Sequence, residues 1–70
     1  MNNLYNIEML KKLRGNMTKV EFAKVLGLSK QVYQFLENGR YKEIPLPVIQ
    51  KLKNRYDLTP EQVLELIGII

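Results

Sequence analysis

A covalent or acid–base mechanism needs a nucleophile or proton carrier beside a partner that activates it, and this sequence offers few such groups. It has no histidine and no cysteine, and Ser29 is its one serine. Its seven carboxylates are scattered along the chain. Thiol and imidazole chemistry, disulfide staples and zinc sites are excluded by residue type. A lone serine without histidine makes no catalytic constellation, so the expectation is not an enzyme, with no cofactor, no metal and no small-molecule ligand. The side chains left to act are cations and amides. Eleven Lys/Arg against seven Asp/Glu give +4 at pH 7, which invites an anionic partner of a kind that composition leaves open.

The charge is unevenly placed. Residues 1–56 carry all eleven bases and four acids (Glu8, Glu21, Glu37, Glu43), a balance of +7. Residues 57–70 carry Asp57, Glu61 and Glu65 and no base, which suits a protein contact better than a polyanion. Seventy residues leave room for a single domain, 1–70, burying about 60% of the unfolded surface. No apolar run approaches the roughly 18 residues of a membrane span. Met1-Asn2-Asn3-Leu4-Tyr5 lacks the basic flank and apolar core of a signal peptide. A soluble, intracellular protein is expected, with no membrane partner.

The elements that must hold the cations and amides read as five short helices, an all-α bundle. Pro45, Pro47 and Pro60 fall outside helix interiors, and no stretch alternates like a strand. Gly15, Gly27 and Gly39 each follow an apolar-periodic stretch, as helix ends require. The first helix, about Leu4 to Arg14, sets Leu4, Ile7, Leu10 and Arg14 on one face. The second opens on the capping box Thr18-x-x-Glu21 and buries Phe22, Ala23 and Leu26. The third starts at Ser29 and runs to about Asn38. The fourth starts near Pro47, with Val48, Ile49, Leu52 and Tyr56 on one stripe. The fifth begins Thr59-Pro60-Glu61-Gln62 and has the apolar set Val63, Leu64, Leu66 and Ile67.

The spacing from Lys19 to Gly39 is demanding. Ala23 is small where the next helix must cross closely, and Gly27, four residues on, supplies a left-handed turn. Leu28, Tyr33 and Leu36 anchor the following helix from its inner side. Together they describe a helix-turn-helix formed by the second and third helices, the latter turning a polar face outward.

At these residues the chain resembles the lambda-repressor-like, Cro-type (xenobiotic-response-element) helix-turn-helix family. Met17-Thr18-Lys19-x-x-Phe22-Ala23-x-x-Leu26-Gly27-Leu28-Ser29 is similar to the family's second helix and turn. Leu36-Glu37-Asn38-Gly39-Arg40 is similar to the ending after its third helix. The likeness extends over about residues 7–66. Two departures stand out. Lys19 occupies a position that is usually Gln in the family, which keeps a phosphate contact and loses a base-orienting amide. The family's first-helix Arg, which pairs with the glutamate at Glu37, has two candidates here. Arg14 shares a face with Ile7 and Leu10 while Lys12 points away, so a structural Arg14–Glu37 pair is expected.

The resemblance implies a sequence-specific regulator of double-stranded DNA in the bacterial cytoplasm, a Cro-like repressor of phage or bacterial type. Its third helix, about 29–38, would lie in the major groove with its N-terminal part on base edges. Lys30, Gln31, Gln34 and Phe35 are then the base-reading set: Gln pairs with adenine N6/N7, Lys reaches guanine O6/N7, and Phe meets a thymine methyl. Phe35 has other readings: folding back over Val32, or sealing a protein partner. Thr18, Lys19, Ser29, Asn38, Arg40 and Lys42 are the expected phosphate contacts. Tyr41 is either a backbone contact or a core plug. Lys51, Lys53 and Arg55 read as a solvated face.

Leu58, Leu66, Ile69 and Ile70 exceed what one buried helical face needs, and Gly68 breaks the helix before the last two. They are the expected seam of a homodimer on a pseudo-palindromic operator, with a tail (66–70) folded onto the protomer's own core as the other reading. The competing function is a protein-interaction module on the same fold, an antitoxin-like or anti-repressor adaptor using Phe35, Val32 or the Ile-rich tail.

Overall fold

Local sequence sets most helix starts in the computed structural model, which describes residues 5–70. Five α-helices follow in order: α1 (Ile7–Arg14), α2 (Lys19–Val25), α3 (Lys30–Glu37), α4 (Leu46–Tyr56) and α5 (Pro60–Leu66). The described residues contain no strand. Both capping boxes close. Thr18 accepts from the Glu21 N–H at 3.1 Å while Glu21 accepts from the Thr18 N–H at 2.8 Å, and Thr59 and Gln62 repeat the exchange at the head of α5. Each pair satisfies donors that a helix start leaves free. At Ser29 the hydroxyl accepts from the Val32 N–H at 3.1 Å.

The first helix begins later than its apolar spacing suggests, and Leu4 lies outside the described residues. Asn6 is the N-cap, its side chain accepting from the Met9 N–H at 3.0 Å. Its own N–H donates to the Leu66 carbonyl at 2.8 Å, so residue 6 is extended backbone joining the end of α5. Tyr5 beside it is buried, its hydroxyl donating to the Leu36 carbonyl at 2.5 Å. The chain thus enters α1 through a strap fastened to both α3 and α5. At α4 the helix starts at Leu46, one residue before Pro47, and Pro45 caps it without a side-chain bond.

The core gathers Leu10 from α1, Phe22, Ala23 and Leu26 from α2, Tyr33 and Leu36 from α3, Val48 and Leu52 from α4, and Leu66 from α5. The Phe22 and Tyr33 rings meet edge to face, centroids 5.3 Å apart and planes at 88°, a favoured aromatic geometry. Between α2 and α3 the Leu28 N–H donates to the Ala23 carbonyl at 2.8 Å, and Gly27 takes φ +72°, the left-handed conformation that glycine adopts without steric cost. A Cβ at residue 27 would stand 2.4 Å from the Lys51 ammonium. That ammonium reaches the Leu26 carbonyl at 3.4 Å, a long contact placing a cation at the negative end of α2. Lys51 therefore belongs to the turn and is more than part of a solvated face.

Three apolar expectations change. Leu58 and Leu66, assigned to a dimer seam, are buried in the protomer's own core, so neither can meet a second copy. Leu64, counted in the apolar set of α5, is 38% exposed, because α5 buries a narrower stripe through Leu66 with Val63 packed beside it. Ile44, in the Pro-flanked connection before α4, joins the core instead.

Candidate nucleic-acid interface

α3 has two unlike faces. Tyr33, Leu36 and Glu37 are buried, whereas Lys30, Gln31, Gln34, Phe35 and Asn38 are exposed. At 100° per residue, positions 30, 31, 34, 35 and 38 form one continuous outward row. Ser29 holds the near end of this row through its cap. At the far end the Arg40 N–H donates to the Phe35 carbonyl at 3.0 Å. Val32 is half-buried on the boundary.

Phe35 is 38% exposed, and the Arg40 guanidinium lies 5.6 Å from its ring centroid, within the range of a cation–π contact. The ring is thus covered by Arg40, an arrangement absent from the three roles its sequence position suggested. One cation is thereby placed at the C-terminal end of the amide row.

The inner face of α3 is locked by a polar cluster. Glu37, 5% exposed, accepts from the Arg14 Nε at 3.0 Å and from the Tyr33 hydroxyl at 2.5 Å. Arg14 Nη2 reaches the second carboxylate oxygen at 3.5 Å, and Nη1 donates to the Met17 carbonyl at 3.0 Å. Lys19 adds a second cation, its ammonium 3.7 Å from Glu37 Oε1. Burial pushes the Glu37 carboxyl upward, but the Tyr33 hydroxyl, Arg14 and Lys19 outweigh it and hold the group below its ordinary value. The Tyr33 phenol is raised by burial and by its bond to Glu37. One carboxylate so ties α1, the first residue of α2 and α3 together, fixing how the outward row is presented.

The expected backbone contacts fall in three places. Thr18 is exposed at the head of α2, and Lys19 is half-exposed beside it, turned toward Glu37. Ser29 and Asn38 bracket α3, both exposed. Arg40 and Lys42 are exposed in the connection to α4, while Tyr41 packs against the core. Lys42 also lines, with Glu43, a concavity of about 260 Å³ whose other walls are Ile44, Ile49, Ile67 and Ile69. Among the described residues, Leu46 (64% exposed), Ile69 (66%) and Ile70 (67%) are the most open large apolar side chains.

Among the described residues no group of His, Cys, Asp and Glu is arranged to hold a metal ion, and no helix is long and apolar enough to cross a membrane. The contacts of Lys51 with the Leu26 carbonyl and of Arg40 with the Phe35 ring escaped sequence reasoning, since each joins a residue to a neighbour outside its own element. The short spacing from Phe35 to Arg40 is the one local signal that could have pointed to the second.

A helix-turn-helix family model matches residues 7–63. No curated protein and no solved structure gives a significant match. The chain belongs to the matched family, the lambda-repressor-like, Cro-type helix-turn-helix proteins, and is a DNA-binding regulator of that type.

Proposed function

We propose that this helix-turn-helix protein is a sequence-specific repressor that lays α3 in the major groove of duplex DNA and acts by occupying its operator. The observation that carries the reading is the outward row of α3. A cation and two amides, Lys30, Gln31 and Gln34, stand exposed in register on a helix whose opposite face is fixed by Tyr33, Leu36 and Glu37. Amides and ammonium groups are the donors and acceptors that distinguish base edges there. Thr18, Lys19, Ser29, Asn38, Arg40 and Lys42 serve as backbone contacts that set the register of the helix without reading sequence.

Selection of bound sites from a random duplex pool tests the reading directly, and a recovered motif is the expected outcome. Affinity for that motif should fall roughly fortyfold between 50 and 200 mM salt if Lys19, Arg40 and Lys42 all meet phosphates. Gln31→Ala should weaken the recovered site by about 1–3 kcal/mol and relax preference at one base pair, while Lys42→Ala should weaken all sequences alike. Recovery of no motif, or equal loss on specific and random duplex for Gln31→Ala, argues against base reading by α3.

One module buries a small interface on DNA, so operator-level affinity calls for a homodimer on half-sites about 34 Å apart. The apolar side chains left open for the seam are Ile69, which lines the concavity with Lys42 and Glu43, and Ile70. Adjacent opposite charges on that rim complement themselves across a two-fold axis. Ile69→Glu with Ile70→Glu should lower affinity for the full palindromic site by tenfold or more, on the order of 1.4 kcal/mol, and leave half-site affinity and folding unchanged. Equal losses on full and half sites would refute the seam.

A further inference from the structure

The cluster around Glu37 holds one cation more than its charge requires. Arg14 is committed three times over, to both carboxylate oxygens and to the Met17 carbonyl. Together with the Tyr33 hydroxyl it already satisfies the buried carboxylate. Lys19 has a single partner there, at 3.7 Å, and more than a third of its side chain is open to solvent. Removing Arg14 would leave the buried charge with one long cation contact and the Tyr33 hydroxyl, whereas removing the Lys19 ammonium would leave Glu37 paired with Arg14 and fully hydrogen-bonded.

From this imbalance we infer that Lys19 is an exchangeable cation: Glu37 holds it in the free protein, and a DNA backbone phosphate takes it when duplex binds. The inference rests on the DNA-binding reading above and adds a positioning role to that interface. In free protein the contact draws the lysine in against α3 and screens its charge. On duplex the ammonium exchanges a distant carboxylate for a phosphate, while Arg14 and Tyr33 keep α1 and α3 locked. Lys19 therefore adds less affinity than an unpaired lysine would, since part of its interaction with phosphate replaces one already made.

A double-mutant cycle on random duplex at low salt reads this competition. Glu37→Gln frees Lys19 and should raise affinity by about two- to fivefold, the worth of a partly exposed ion pair. In a Lys19→Gln background the same Glu37→Gln change should shift affinity by less than that, because no cation remains to be released. Equal effects of Glu37→Gln in the two backgrounds would overturn the exchange. Glu37→Gln also weakens the fold, so a second measurement uses the unaltered protein. The ¹⁵N-labelled Lys19 ammonium, followed by NMR, should gain a hydrogen-bond coupling to phosphorus on adding duplex. An ammonium that stays on Glu37 in the complex contradicts the inference while leaving DNA binding intact. Absence of any duplex binding by the unaltered protein would remove the DNA reading and the exchange together.

Discussion

Phe22→Ala should strip the fold of roughly half its stability at 25 °C. The Phe22 ring is wholly buried, packed edge-on to Tyr33 and 6.5 Å from the Tyr56 ring. Emptying such a site costs about 3–5 kcal/mol in lost burial and unfilled volume. A seventy-residue domain has only roughly 4–10 kcal/mol to lose. The site cannot readily collapse, because the ring spans the joint between α2, α3 and α4. Circular dichroism with a urea titration checks the outcome, and a midpoint within a few tenths molar of the parent would contradict it. Phe35→Ala is the matched control. That ring is exposed and loses chiefly its contact with Arg40, about 0.5–1 kcal/mol. Two phenylalanines of one composition thus separate into a core support and a surface group.

Arg14→Ala should cost about 3 kcal/mol at neutral pH, and the penalty should shrink in acid. Deleting one member of a buried pair leaves the other uncompensated, at about 3–5 kcal/mol. The low end applies here because Lys19 and Tyr33 remain on the carboxylate. Glu37 sits below its ordinary value of 4.5 in the folded protein. A carboxyl lowered on folding contributes stability that is fully present above its unfolded pKa and lost as pH falls through the folded one. At pH 7 the parent therefore holds the whole contribution and Arg14→Ala much less of it. As acid protonates Glu37, the parent loses this advantage and the two proteins converge. Urea titrations of both at pH 7 and pH 3 test the sign, and a gap that stays constant would contradict a charged Glu37 as its cause.

Local signals made much of this fold legible. Thr18 with Glu21, and Thr59 with Gln62, announce helix starts because the partners sit three residues apart. Gly27 announces its turn because no other residue enters the left-handed region so freely. The outward row Lys30, Gln31, Gln34, Phe35 and Asn38 follows from 100° arithmetic once the buried stripe of Tyr33 and Leu36 is placed. What resisted reading depends on distant neighbours. Apolar spacing alone began the first helix at Leu4, whereas Asn6 is fixed by the carbonyl of Leu66, sixty residues away. Leu58 and Leu66 looked surplus because counting one helix face does not reveal that the shared core takes them both in. Lys51 looked solvated because nothing in α4 itself tells that the end of α2 passes beneath it. Lys19 looked like a simple DNA contact because its tie to Glu37 spans eighteen positions.

The strap before α1 also bears on modularity. Tyr5 fastens to the Leu36 carbonyl, at the end of α3, and Asn6 to the last turn of α5. Arg14 and Glu37 join the same region from the side. A two-helix segment cut from Lys19 to Gly39 would carry the outward row of α3 proposed to read DNA but none of these anchors. Transplanted onto another scaffold, it would bring the right letters in the wrong orientation. The smallest portable unit of this chain therefore runs from Tyr5 to Leu66, a ring closed by its two ends rather than a cassette of two helices.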